Sequence, residues 1–232
     1  MSEELERKTK ISVIIPAAGA GKRMKSYGPK SLIKVGKSTI VSNQIHLINS
    51  HIPDSDIVLV CGFKSEKLMN ETPSSIIKIE NELYEETNVV RSIGMGLRAT
   101  GKSDIVIVIY GDLVFNEEML KSINTEESSV VIDSGTMSDN EVGCIINEEG
   151  YLESIMYDLP DKWAQVLILK GQELKIFRSL SWDKKNYRKF GFEIINEVIK
   201  RGGSFKALRG DNIKVIDIDN SKDIPRAKEI LL

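Results

Sequence analysis

Apolar residues along the chain occur at two different spacings, and the alternation of the two predicts how the first half folds. Unbroken apolar runs rich in Val and Ile are typical of strands covered on both faces of a sheet, whereas apolar residues three or four apart are typical of a helix with one buried face. The strand-like runs lie at 11–15, 57–61, 76–80 and 105–110, and the helix-like segments at 38–49, at 63–69 and from Thr87 or Asn88 to Ala99. This alternation predicts a Rossmann-like α/β domain with three layers and a mostly parallel central sheet.

The second half has shorter apolar segments. Strands are predicted at 130–132, 142–146, 151–156, 165–169 and 215–218, with a hairpin turn at 147–150, and helices at 174–180, 192–200 and 223–232. No repeat or clear linker interrupts the chain, so we expect one domain over 1–232. Within it we expect a first half at 11–113, a smaller lobe at 114–210 built on the same sheet, and a closing strand and helix at 211–232.

Composition argues against several classes of function. The 232 residues carry a formal net charge of -2, which gives no electrostatic attraction to nucleic acid or to an anionic membrane. The first ten residues are too polar for a secretory signal, and no apolar run could span a membrane. Cys61 and Cys144 lie in apolar runs without a CxxC motif and are expected to be buried free thiols, so we expect a cytoplasmic protein. Two histidines are too few for a His-rich metal site.

The loop after the first strand combines very small side chains with cations. Pro16 has no N–H for a sheet hydrogen bond, so the strand is expected to end there. Small side chains let a ligand approach the backbone, and successive N–H groups in such a loop bind phosphate. The small residues are Ala17, Ala18, Gly19, Ala20 and Gly21, and the cations are Lys22, Arg23, Lys25 and Lys30. The pattern indicates an anion site, although a tight turn with solvated lysines has the same composition.

Two common phosphate-binding motifs do not fit this region. The dinucleotide fingerprint requires a third glycine, and Met24 occupies that position. The sequence GKST at 36–39 resembles the end of a P-loop, but Ser31 stands where the first glycine of that motif is required. The anion site is therefore of another type.

The stretch at 16–32 resembles the opening of nucleotidyltransferases that activate sugar 1-phosphates, phosphocholine and similar acceptors. That family has (P/L)AAGxGxRM and then PKxL after its first strand, and the chain has PAAGAGKRM at 16–24 and PKSL at 29–32. CTP:phosphocholine cytidylyltransferases and MobA-like NTP transferases are similar in this respect. The resemblance implies a GT-A-like nucleotidyltransferase fold in which the backbone of 17–21 cradles an NTP. It also implies that Lys30 lies at the α-phosphate, with Lys22 and Arg23 at the departing β- and γ-phosphates.

Two acidic segments are candidates for binding Mg²⁺. Asp112 follows the most apolar strand, and open α/β sheets bind ligands beyond the carboxyl ends of such strands. Asp217 and Asp219 are two residues apart on a predicted strand, so both could face one cation. Taken alone, these acids could equally be solvated turn residues. The resemblance of GDLVF at 111–115 and DIDN at 217–220 to two family segments implies that Asp112 and Asp219 hold the metal.

A third segment, at 81–92, resembles the pattern N-x-x-Y-x-x-T-N-N-x-x-S of one subgroup of this family. The matching residues are Asn81, Tyr84, Thr87, Asn88 and Ser92, and Val89 replaces the second Asn of the pattern. The resemblance implies that Asn88 and Ser92 contact the nucleotide, and it favours CTP over UTP or dTTP. Without the resemblance, the segment reads as a capped amphipathic helix.

Aromatic and acidic residues cluster in the predicted smaller lobe. Aromatic faces with carboxylates nearby suit a cationic head group such as choline, although a sugar could stack on the same faces. Tyr157, Asp158 and Trp163 are therefore candidates for binding the acceptor, with Trp182 also in this lobe. The tryptophans could instead belong to the core. We expect a small phospho-amine or phospho-alcohol to be preferred to a hexose 1-phosphate.

The sequence and the resemblance together predict a Mg²⁺-dependent nucleotidyltransferase. It would join an NTP, with CTP favoured, to a small phosphorylated acceptor and release pyrophosphate. A sugar-1-phosphate uridylyl- or thymidylyltransferase is the nearest alternative. A glycosyltransferase of similar architecture typically carries a DxD motif, whereas YGD at 110–112 has a single acid. A non-catalytic nucleotide-binding protein is the third possibility.

Overall fold

The computed structural model describes residues 8–21, 28–135 and 141–231. The strands are β1 (Ile11–Ala17), β2 (Lys34–Val35), β3 (Ser38–Thr39), β4 (Asp56–Cys61), β5 (Ile77–Glu80), β6 (Ile105–Ile109), β7 (Leu113–Phe115), β8 (Ser129–Ile132), β9 (Val142–Ile146), β10 (Leu152–Tyr157), β11 (Asp161–Lys170), β12 (Lys206–Leu208) and β13 (Val215–Asp217). The α-helices are α1 (Ile40–His51), α2 (Ser65–Asn70), α3 (Val89–Ala99), α4 (Glu117–Lys121), α5 (Gly171–Trp182), α6 (Gly191–Lys200) and α7 (Asp223–Ile230).

One large sheet runs through the molecule in the order β10-β9-β11-β6-β1-β4-β5, and β8 and β12 extend it beside β11. Strands β6, β1, β4 and β5 are parallel, so their carboxyl ends lie along one edge. Strand β11 is antiparallel to β6 and begins a second, mostly antiparallel part with β9 and β10. The prediction of an α/β fold with a largely parallel central sheet is confirmed.

Both faces of the parallel strands are buried, as their unbroken apolar runs predict. In β6, Ile105, Ile107 and Ile109 pack in one cluster with α1, α2 and α4, whereas Val106 and Val108 pack in another with α3, α5 and α6. All five side chains are almost completely buried, and each such burial contributes roughly 1.5–3 kcal/mol. The two clusters fix the sheet between two helical layers and so hold the strand ends in place.

Pro16 does not end the first strand, contrary to the expectation from sequence. Pairing of β1 with β6 stops at Ile14↔Val108, whereas pairing with β4 continues through Pro16 to Ala17↔Cys61. A proline is tolerated where the ladder is one-sided, because its missing N–H then leaves fewer partners unsatisfied. The carbonyl of Pro16 also accepts a hydrogen bond from the Gly111 N–H (3.1 Å). The loop that follows therefore starts close to the end of β6.

The spacing of apolar residues does not predict the short strands β2, β3, β7 and β12 or the first residues of β11. Strand β7 has three residues and pairs antiparallel with β13, in register Val215↔Phe115. Strand β11 begins at Asp161, four residues before the predicted start, and Asp161 and Lys162 pair with β9. Short strands and charged residues at a strand start are read as loop from the sequence, because their pairing depends on tertiary contacts.

A third, smaller apolar cluster supports the β7–β13 pair. It contains Val114 from β7, Ile216 from β13 and Ala227 from α7, together with Ile40 at the start of α1. The N–H of Ile218, just after β13, donates to the carbonyl of Asp112 (3.1 Å). This cluster therefore brings the chain around 217–219 against the segment that follows β6.

Gly111 allows the segments after β1 and β6 to approach closely. A Cβ atom at this position would lie 2.7 Å from the Cβ of Ala17 and 3.1 Å from the carbonyl oxygen of Pro16. A side chain here would therefore separate the two strand ends. Small residues at 17 and 111 are required by this packing as well as by any ligand.

The two cysteines are buried, as expected from the apolar runs in which they lie. Cys61 and Cys144 are free and completely buried, and burial raises the pKa of both thiols to about 12, so neither is reactive at neutral pH. Among residues 8–21, 28–135 and 141–231, no helix has the length and apolar character needed to cross a membrane.

Candidate functional site

A cleft of about 810 Å³ lies at the edge where β1 and β6 end. The elements that line it are the loop after β1, the start of α3, the segments after β6 and β13, strand β11, the 190–192 segment and the end of β10. Most of the residues predicted from sequence to be functional line this one cleft.

The loop after β1 is bare and open toward the cleft. The cleft is lined by four residues of this stretch, Ala17, Ala18, Gly19 and Gly21, and Ala20 is not part of its lining. Ala18 is anchored by its carbonyl oxygen, which accepts from the Phe63 N–H (2.9 Å). Within the described part of the chain, no backbone N–H of 19–21 donates a hydrogen bond, so these donors remain for a ligand. Lys22 and Arg23, predicted to bind phosphates, lie outside the described residues.

Lys30 is the central charge of the cleft. Its Nζ donates to Asp219 Oδ1 at 2.6 Å and to Asp112 Oδ2 at 3.1 Å. Its side chain is only 15% exposed. Burial alone would lower the pKa of Lys30, but the two carboxylates outweigh burial and raise this pKa above its ordinary value. The lysine is therefore charged, and three segments distant in sequence meet at its ammonium group.

Hydrogen bonds that the sequence did not reveal hold the backbone beside the two carboxylates. Gln44 of α1 is buried and its Nε2 donates to the carbonyls of Tyr110 (2.9 Å) and Leu113 (2.8 Å), which flank Asp112. On the other side, Asp223 Oδ2 accepts from the Asp219 N–H (2.9 Å). These contacts fix the backbone on either side of Lys30.

The pair Asp112 and Asp219 is suited to Mg²⁺, because both carboxylates already converge on one cationic group. Mg²⁺ binds through one or two carboxylates and completes its coordination with phosphate oxygens and water. Within the described ranges, no three acidic, His or Cys side chains are arranged to hold a metal together. The donor set of Asp112 and Asp219 therefore fits a metal bound by two carboxylates and a phosphorylated ligand, and Asp217 as a further ligand stays a prediction.

Asp217 lines the cleft in a different environment. Burial, reinforced by the negative charges of Asp112 and Asp219, raises the pKa of Asp217 to about 6, and Lys162 opposes this rise. Lys162 lies on β11 and is 13% exposed, and it forms ion pairs with Asp133 (3.3 Å) and Glu141 (3.0 Å). Sequence reasoning missed Lys162, whose only signal is a charge at the start of an apolar strand.

The segment at 81–92 lines the cleft beside the bare loop. Asn81 is buried, and its Nδ2 donates to the hydroxyl groups of Thr87 and Ser92, each at 3.2 Å. Asn88 caps α3, since its Oδ1 accepts from the Val89 N–H (2.8 Å). Asn88 and Ser92 therefore line the cleft and also have structural roles in the turn and cap, and their contact with a nucleotide stays a prediction.

Only some of the residues predicted to bind the acceptor line the cleft. Tyr157 and Trp163 line the cleft, whereas Asp158 does not. Trp163 is 3% exposed, donates its Nε1 to the Val166 carbonyl (3.1 Å) and packs edge-on against Tyr110. Trp182 lies outside the cleft, where its Nε1 donates to the Gly94 carbonyl (3.2 Å). Spacing could not distinguish these tryptophans, because their directions depend on how β11 and α5 pack.

An aromatic wall borders the cleft on this side, and we define it as Tyr157, Phe190 and Phe192. The rings of Phe190 and Phe192 are stacked, with their centroids 5.6 Å apart. Tyr157 packs edge-on against Phe192, with a centroid separation of 5.2 Å. Tyr157 and Phe190 are 43% and 44% exposed, so their faces are available to a ligand. Phe190 and Phe192 had no motif to mark them. They reach the wall only because α6 begins beside β10.

The raised pKa of Asp217 predicts a pH-dependent stability. The pKa of Asp217 is higher in the folded than in the unfolded state, so the folded protein binds this proton more tightly. The ionised carboxylate therefore lowers the free energy of unfolding above about pH 6, and this effect disappears below about pH 4, where the carboxyl is protonated in both states. Asp217→Asn should therefore raise the free energy of unfolding by about 1–2 kcal/mol at pH 7 and leave it unchanged at pH 4. Urea unfolding at both pH values in EDTA measures this difference.

The matched control is Asp211→Asn, which changes an exposed acid outside the cleft and should have no effect at either pH. A loss of stability in Asp217→Asn at pH 7 would contradict the environment assigned to Asp217.

Solved structures with the same fold include CTP:phosphocholine cytidylyltransferase from Streptococcus pneumoniae. Its TM-score is 0.74 with 18% identity, over 96% of this chain and 100% of the other. The inositol-1-phosphate CTP transferase from T. maritima also has a TM-score of 0.74, with 20% identity over 96% of each chain. At these identities the similarity establishes the fold.

Sequence comparisons identify the family. The bifunctional protein GlmU of Buchnera aphidicola subsp. Schizaphis graminum is 25% identical over 232 residues, covering 94% of this chain and 48% of GlmU. The chain thus spans about half the length of this relative. The family model for the MobA-like NTP transferase domain matches residues 13–137, which is more than half of the chain. With the bare loop, Lys30 and Asp112 all inside the matched region, the chain belongs to the MobA-like NTP transferase domain family.

Proposed function

We propose that the protein is a nucleotidyltransferase that joins an NTP to a small phosphorylated acceptor and releases pyrophosphate. The observation that carries this proposal is the position of Lys30, whose ammonium lies between Asp112 and Asp219 in the cleft bordered by the bare loop. A buried cation, two carboxylates and free backbone N–H groups match the charges of a triphosphate and its metal. Membership of the family supports the same reaction.

The reaction requires positioning and charge neutralisation more than proton transfer. A phosphate oxygen of the acceptor attacks the α-phosphorus in line, the bond from that phosphorus to the bridging oxygen breaks, and pyrophosphate leaves with that oxygen. The nucleophile is already anionic, so no general base is needed. Lys30 would stabilise the charge around the α-phosphorus, and the N–H groups of 19–21 would hold the phosphates.

Asp112 and Asp219 would hold a Mg²⁺ ion. The ion supplies neutralisation of phosphate charge when bound. Lys30 would compete with this ion for the two carboxylates, since its Nζ contacts one oxygen of each. The Lys30 side chain also lies against Gly21 of the bare loop, where the α-phosphate would be bound.

The nucleotide and the acceptor can be proposed more narrowly. CTP is favoured by the match of Asn81, Thr87, Asn88 and Ser92 to the subgroup pattern. A small acceptor with a cationic or alcohol head is favoured over a hexose 1-phosphate. The exposed faces of Tyr157 and Phe190 and the nearby Glu141 support this choice. A uridylyl- or thymidylyltransferase remains the alternative.

A matrix of four NTPs against phosphorylated acceptors, each with Mg²⁺, tests the proposed reaction. The acceptors are phosphocholine, phosphoethanolamine, glycerol 1-phosphate and glucose 1-phosphate, and pyrophosphate release is measured. We expect release that requires both substrates and is fastest with CTP. Sugar transfer from a nucleotide sugar without such release would indicate a glycosyltransferase, and NTP binding without turnover a non-catalytic protein.

Asp112→Asn tests the carboxylate pair. We expect turnover to fall by at least about a hundredfold, which is typical of losing one electrostatic stabiliser, with the unfolding midpoint nearly unchanged. Asp161→Asn is the control, because Asp161 lies on β11 and outside the cleft lining, paired with Arg209 (2.7 Å). Activity of Asp112→Asn close to wild type would remove Asp112 from the site.

Phe190→Ala tests the aromatic wall. Loss of one desolvated aromatic contact costs about 1–2 kcal/mol, so the KM for a cationic acceptor should rise roughly 5–30-fold while the KM for the NTP stays unchanged. Trp182→Phe is the control, since Trp182 is 40% exposed but lies outside the cleft. Equal changes in both KM values in Phe190→Ala would show that the wall does not bind the acceptor.

A further inference from the structure

Gln165 has an unusual backbone conformation inside the cleft. Its φ is 57°, in the left-handed region that residues with a side chain rarely adopt. The pairing of β11 with β8 is irregular here, with a register shift between Trp163 and Leu167. The hydrogen bond from Trp163 Nε1 to the Val166 carbonyl spans this position and helps to hold it. Strain of this kind persists where the surrounding structure enforces it, and it is concentrated at functional sites.

The side chain of Gln165 is available to a ligand. Gln165 is only partly buried and lines the cleft. Its amide makes no hydrogen bond to any other residue of the described ranges, so its carbonyl oxygen and its two N–H donors are all free. A glycine would satisfy the backbone at this position without strain. The chain thus retains an amide where its backbone favours a residue without a side chain.

The strand order places Gln165 on the acceptor side of the reacting centre. In the sheet, β6 lies between β1, which leads into the bare loop, and β11, which carries Gln165. Val166 pairs with Ile109, the last residue of β6, so Gln165 lies next to the segment that leads to Asp112. A ligand group at Gln165 is therefore across Asp112 from the nucleotide phosphates.

We infer that Gln165 is a specificity residue whose amide hydrogen-bonds a hydroxyl group of the acceptor close to its phosphate. This inference rests on the proposed nucleotidyltransferase reaction and narrows its acceptor to phosphorylated small alcohols that carry further hydroxyl groups. An amide can donate to and accept from a hydroxyl, and a site built for a hydroxyl discriminates against an analogue that lacks it.

The test compares glycerol 1-phosphate with propyl phosphate, which differ only in the two hydroxyl groups. Wild-type protein should prefer glycerol 1-phosphate by about tenfold or more in kcat/KM, and Gln165→Gly should reduce this preference to near one. The KM for the NTP should stay within about twofold. Because glycine relieves the left-handed backbone, the thermal midpoint of Gln165→Gly should rise by about 1–4 °C.

Lys64→Gly is the matched control, since Lys64 also has a positive φ (49°) but lies outside the cleft. Lys64→Gly should raise the thermal midpoint and leave unchanged both the preference for glycerol 1-phosphate over propyl phosphate and the KM for the NTP. An undiminished preference in Gln165→Gly, or turnover only of acceptors without hydroxyl groups, would overturn the assignment of Gln165 alone. Failure of wild-type protein to turn over any acceptor with any NTP would overturn the proposed reaction and this inference together.

Discussion

The contact of Lys30 with Asp112 and Asp219 is the constraint on which the rest of the cleft depends. Its three members come from a turn after the bare loop, from the segment after β6 and from the segment after β13. Burial of the Lys30 ammonium with neither carboxylate present would be costly, whereas the intact group is balanced by hydrogen bonds as well as charge. Elements that are far apart in sequence must therefore be positioned accurately for this group to form.

Two parts of the fold position the three segments around Lys30. The parallel strands carry the bare loop and Asp112 to one edge, and Gly111 allows their ends to approach. The small cluster around Val114, Ile216 and Ala227 brings Asp219 to the same point from the end of the chain. Strand β6 then separates the cleft into a side with the bare loop and a side with β11 and the aromatic wall. This division suits a reaction between two phosphorylated substrates.

The parallel half of the fold follows from the sequence, because unbroken apolar runs have few alternatives to a buried strand. The residues at which strands begin and end are harder to predict from the sequence. Pro16 continues β1 because only one neighbour pairs with it there, and β7 is too short to show a period. Lys30 and Asp112 could be identified from motifs. Gln44, Phe190 and Phe192 could not, since an ordinary helix glutamine and two phenylalanines gain their roles only through tertiary packing.

We infer that the Lys30 ammonium occupies the position that a divalent cation would otherwise take between Asp112 and Asp219. Titration with Mn²⁺ without nucleotide, followed by electron paramagnetic resonance, compares wild-type protein with Lys30→Met. Lys30→Met removes the cation that both carboxylates contact, so this variant should bind Mn²⁺ about tenfold more tightly, and the added change Asp219→Asn should abolish the gain. Equal or weaker Mn²⁺ binding by Lys30→Met would show that the ammonium does not compete with a divalent cation for the two carboxylates.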